Sequence, residues 1–119
     1  MNINLASQKI QDIMVALTKD IEPQEIADQT LVRRKMSTFT YGLCVAVANR
    51  HSLDAESLYL HYLVQGGLSK QQAHTVVERT SHTFIYEDFG RSCYAAGNQV
   101  DVDEFDYDEV INLKQLIFS

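Results

Sequence analysis

The chain has 119 residues, of which 45% are hydrophobic and 22% charged, with two cysteines and one proline. A chain of this length and composition makes one soluble domain (residues 1–119) that can bury a core without disulfide staples, which excludes a disordered or collagen-like chain. No apolar run approaches the roughly 20 residues that a spanning helix needs, and a net charge of −6 lacks the basic footprint of most nucleic-acid binders.

Residues 1–17 have no basic start, no uninterrupted apolar stretch and no small-residue cleavage site, so no signal peptide is expected. Cys44 and Cys93 then read as reduced, buried thiols of a cytoplasmic protein. Leu5, Ile10, Ile13, Met14, Leu17 and Ile21 recur at three- and four-residue steps and predict a first helix. Pro23 suits the first turn of a second, with Ile26, Ala27, Leu31 and Met36 as its buried stripe. A third, central helix is expected over about Ser37–Arg50. Its Gly42 and β-branched residues leave a buried strand at Leu43–Ala48 open.

Asp54 is a good N-cap for a fourth helix, and Gly66-Gly67 ends it. Ser69 with Gln72 three residues on is a capping-box pattern for a fifth, whose core face is Ala73, Val76, Val77 and Thr80. Residues 54–81 therefore predict an αα-hairpin. Beyond it, Thr83–Tyr86 is β-branched and aromatic, Gly90 and Gly97-Asn98 read as turns, and Val100–Asp103 alternates at period two. Those features suggest a small β-hairpin in the C-terminal third. Asp106 or Asp108 would cap a last helix docked through Tyr107, Val110, Ile111, Leu113 and Ile117. The expected fold is mainly α: one helical bundle of about five to six helices.

Charge is unevenly spread. Residues 1–86 carry eight acids and eight bases, whereas residues 87–119 carry eight acids against Arg91 and Lys114. Six of those acids fall between Asp101 and Glu109, a concentration that attracts basic surfaces and repels phosphate backbones. The EF-hand pattern fails there, because Phe105 stands at position five and Asp106 where glycine is needed.

Other constellations are weaker. Leu63–Val76 resembles a helix-turn-helix, with Lys70, Gln71, Gln72, His74 and Thr75 outward, though Leu63 occupies a slot that usually holds a small residue. His74, Glu78 and His82 share a helical spacing but lack the zinc-protease string. Cys93 follows Arg91, which would lower its pKa if close, yet no partner base is marked. Arg33-Arg34-Lys35 is the one basic run and reads as a solvated helix surface. No phosphate-cradling glycine loop or nucleophile elbow is present.

These features predict a non-enzymatic regulator or inhibitor, with no catalytic residue, metal or cofactor. Its expected partner is a protein with a basic surface, and the sharper expectation is the nucleic-acid site of a nucleic-acid-binding protein. The docking residues are Glu87, Asp88, Phe89, Asp101, Asp103, Glu104, Phe105, Asp106, Tyr107 and Asp108, carboxylates interleaved with aromatic anchors. Small acidic phage-encoded inhibitors, anti-CRISPR proteins among them, are similar in size and charge, an analogy that rests on no shared motif. The alternative is a DNA-binding regulator that reads a groove with residues 54–81. No membrane contact is expected, and the oligomeric state is left open.

Overall fold

Helix α1 (Ile3–Thr18) starts where the Asn2 side-chain oxygen accepts the Leu5 amide at 2.8 Å. Its Ile10, Ile13, Met14 and Leu17 are buried as the spacing predicts, while Leu5 is left half exposed, Ala6 is buried in its place and Ile21 lies beyond the helix. The computed structural model describes residues 1–119 and is 78% helical, with seven α-helices and no strands. No helix is long and apolar enough to cross a membrane.

Pro23 opens α2 (Pro23–Ala27), which stops after five residues. Helix α3 then runs unbroken over Thr30–His51, so the expected boundary near Ser37 is not there. The hydroxyls in that stretch are satisfied within the helix: Thr38 Oγ1 donates to the Arg34 and Lys35 carbonyls, and Thr40 Oγ1 to the Met36 carbonyl at 2.7 Å. The altered phase exposes Leu31 and buries Val32 instead. Phe39, Leu43, Cys44 and Val47 are fully buried, which makes α3 the central helix; the strand left open at Leu43–Ala48 is helical.

The hairpin forms as the sequence predicts. Helix α4 (Ala55–Gln65) is capped by Asp54, which accepts the Ser57 amide at 2.9 Å. Helix α5 (Lys70–His82) carries the reciprocal Ser69–Gln72 capping box. Gly67 turns the corner at φ +109°, a conformation that residues with a Cβ rarely adopt.

The predicted β-hairpin is absent. Phe84–Tyr86 is a 3₁₀ turn, residues 88–98 form helix α6 (Asp88–Asn98), and Val100–Asp103 is irregular. Gly90 and Gly97 are not turn glycines but the packing face of α6. A Cβ at Gly97 would overlap the Phe39 carbonyl oxygen, one at Gly42 the Tyr94 carbonyl oxygen, and one at Gly90 the Phe84 carbonyl. Backbone thus lies directly on backbone where α6 crosses α3, and glycine alone fits. Asp106 accepts the Asp108 amide at 2.9 Å and opens a 3₁₀ turn (Tyr107–Glu109) that runs into α7 (Val110–Phe118). Leu113 and Ile117 dock α7, whereas Tyr107 and Ile111 remain exposed. One continuous core joins α1, α3, α4, α5, α6 and α7, and the radius of gyration is 13.0 Å.

Candidate functional site

Three residues of the body fasten the segment after α6. Arg50 Nη1 lies 2.5 Å from Asp101 Oδ1; Lys9 Nζ and His51 Nε2 meet the two oxygens of Asp103 at 2.5 and 3.1 Å. Asp101 also accepts the Asp103 amide at 3.0 Å. The hydrogen bond from Arg50 holds the Asp101 carboxyl below the usual range, and those from Lys9 and His51 do the same for Asp103. Both carboxylates were expected to face a partner, but they are spent largely within the chain.

Beside these fasteners a cleft of about 390 Å³ opens between the end of α6 and the start of α7. Ala96, Val100, Phe105 and Leu113 give it an apolar floor; Gln99, Asp101, Glu104, Asp106 and Glu109 give it a polar rim. Phe105 is held edge-on against Tyr107, with ring centroids 4.8 Å apart. Glu104, Asp106 and Glu109 form no ion pair. Asp106 is partly engaged by the Asp108 amide, and Glu109 accepts a bond from Asn112 Nδ2 at 3.3 Å.

No three His, Cys, Asp or Glu side chains of the chain converge on one metal-sized point. The rim suits an extended cation instead: a lysine or arginine side chain can lay its alkyl stem on the floor and hold its charge among the carboxylates.

The structure brings Asp101, Glu104, Phe105 and Asp106 together, with Tyr107 and Asp108 just outside the cleft. Glu87, Asp88 and Phe89 lie at the far end of α6, about 15 Å from Asn98 along an eleven-residue helix. There Asp88 pairs with Arg91 at 3.2 Å and Phe89 packs on Phe84 with centroids 6.3 Å apart. A hairpin over residues 83–103 would have placed both groups side by side; a helix keeps its ends apart. Tyr94, midway along α6, packs against Tyr41.

Sequence reasoning left Ala96, Gln99, Val100, Glu109 and Leu113 out of the site. Glu109 had a signal as the last member of the acidic run. Lys9 had none, being 94 positions from Asp103.

The other constellations stand apart from this cleft. On α5, Lys70, Gln71, His74 and Thr75 are exposed, but the Gln72 side chain is occupied in the capping box. His74, Glu78 and His82 are exposed without forming a metal-sized cluster. Burial pushes the Cys44 and Cys93 thiols up, Lys35 and Thr38 only partly opposing this at Cys93. Arg91 turns to the Tyr86 carbonyl and Asp88 rather than toward Cys93.

The fasteners have a pH signature. A carboxyl whose folded pKa is depressed contributes stability above its unfolded value, near 4, and that contribution is lost as pH falls through the folded value. The Asp101→Asn/Asp103→Asn variant is therefore expected to be less stable than the parent at pH 7, with the difference closing below about pH 4. Urea midpoints measured from pH 7 to pH 2.5 check this, and a difference independent of pH refutes it.

Comparison with known proteins finds no relative: no family model matches the chain, and no curated protein or solved structure matches it.

Proposed function

We propose that this chain is a non-enzymatic binding protein of the cytoplasm, a regulator or inhibitor that docks on a basic protein surface through the cleft at Gln99–Leu113. The observation that carries the reading is the cleft itself, where an apolar floor is rimmed by three carboxylates without cationic partners. Carboxylates sharing one rim without a cationic partner draw a cation to it. Exposed Tyr107, edge-on against Phe105, supplies contact area around an inserted basic side chain. If the basic surface is one that normally holds nucleic acid, occupying it blocks that ligand.

The test is a calorimetric and NMR titration with a synthetic arginine-rich decapeptide at two salt concentrations. Binding should perturb amides within Gln99–Leu113 and weaken with salt. Glu104→Gln/Asp106→Asn/Glu109→Gln should lose about tenfold in affinity, equivalent to ~1.4 kcal/mol. Glu87→Gln/Asp88→Asn removes charge at the other end of α6 and should change affinity less than twofold. Equal losses in the two variants would mean that only net charge matters, and the cleft would have no role.

A further inference from the structure

At the opposite end of α3, about 24 Å from Arg50 along the helix axis, the charge is reversed. Arg33 and Arg34 of α3 share a cleft of about 270 Å³ with Arg79 of α5. Thr30, Ser37 and Thr75 bring three hydroxyls to its lining. None of the three guanidiniums is ion-paired. Neutral groups aim two of them instead. Arg33 donates to the Ala27 carbonyl oxygen and to Thr30 Oγ1, and Arg34 stands 5.0 Å over the Phe84 ring.

Arg33 and Arg34 also lie near the positive end of the α3 dipole, with no acid in the first turn to balance them. In a protein of net charge −6, three unneutralised arginines around one cavity, two of them oriented by neutral groups, make a local positive surface suited to an anion.

A second cleft of about 270 Å³ adjoins the first, and Arg33, Ser37 and Val76 line both. Its remaining walls are mostly apolar, Met36, Leu63 and Leu68 among them. A carboxylate offers two oxygens and one charge, which a single arginine satisfies as a bidentate pair. Three guanidiniums match the three terminal oxygens and near-double charge of a phosphate monoester.

We propose that the two adjacent clefts bind a small phosphate monoester with an apolar body, its phosphate among Arg33, Arg34 and Arg79 and its hydrocarbon along the neighbouring groove. This site is separate from the acidic cleft, and either assignment can fail without the other.

Calorimetry with inorganic phosphate, butyl phosphate and hexyl phosphate at fixed ionic strength tests it. Affinity should rise about threefold to fourfold for each methylene that enters the groove. Amide shifts should centre on Thr30–Ser37 and Thr75–Arg79. Arg79→Gln should weaken all three ligands about tenfold or more, with an unchanged melting temperature showing that the fold is intact. Leu68→Ser should flatten the chain-length series while leaving inorganic phosphate binding in place.

Equal affinity for inorganic and hexyl phosphate, or hexanoate binding as tightly as hexyl phosphate, overturns the proposal. So does Arg79→Gln with parental affinity. Duplex DNA that displaces phosphate with a steep salt dependence overturns it as well, assigning the arginines to a nucleic-acid backbone read beside α5.

Discussion

Replacing Gly97 with valine is expected to remove about 4 kcal/mol or more of stability, lowering the thermal midpoint by about 15 °C or abolishing the cooperative transition. The cause is steric. The position of a Cβ at Gly97 is already occupied by the Phe39 carbonyl oxygen, with Leu43 and Gly42 backbone close behind. Backbone cannot move aside as the end of a flexible side chain can, so α6 would have to lift from α3. Gly66→Ala is the control. Gly66 has helical φ and ψ, and an added methyl meets only carbonyl oxygens at 3.4 and 3.5 Å. Its stability should stay within ~0.5 kcal/mol of the parent. Circular-dichroism melts of the two variants decide the matter, and a Gly97→Val protein melting within about 2 °C of the parent would refute direct α3–α6 contact.

Phe39→Ala should cost ~3–5 kcal/mol in urea unfolding, because a fully buried ring leaves a cavity that close-packed helices fill only in part. Leu31→Ala on the same helix should change stability by less than ~0.5 kcal/mol, since Leu31 is 51% exposed. The pair checks the phase of α3 directly. A helix boundary near Ser37 would bury Leu31 and raise the cost of Leu31→Ala toward that of Phe39→Ala.

Much of the middle of the molecule is legible in the sequence because its signals are local. Asp54, Ser69 with Gln72, and Gly67 each act within a few residues of the element they define, and each does in the fold what its chemistry suggests. The C-terminal third misleads because a glycine reads alike whether it permits a turn or makes room for a neighbouring helix. A discriminating signal is present: Gly90, Cys93 and Gly97 follow one another at three- and four-residue steps, and all three are buried. That is the same period that identifies α1, carried by small residues instead of large ones.

The candidate site divides along similar lines. The density of acids at Asp101–Glu109 is visible in the sequence, but which carboxylates remain available is not. Arg50, His51 and Lys9 reach Asp101 and Asp103 only once α1, α3 and the segment after α6 have been assembled. The arginine cleft is equally hidden. Arg33 and Arg34 look like an ordinary solvated run until α5 carries Arg79 to the same cavity from 45 positions away.

The bare crossing of α3 and α6 also sets the order in which the chain can assemble. The α4–α5 hairpin closes over residues 54–82, whereas Gly42 waits 55 positions for Gly97. Closing that larger loop forfeits more chain entropy before any contact rewards it, so helix pairing in the middle of the chain is expected to precede the crossing. Until residue 97 has left the ribosome, the backbone of α3 from Phe39 to Leu43 lacks the helix that packs on it.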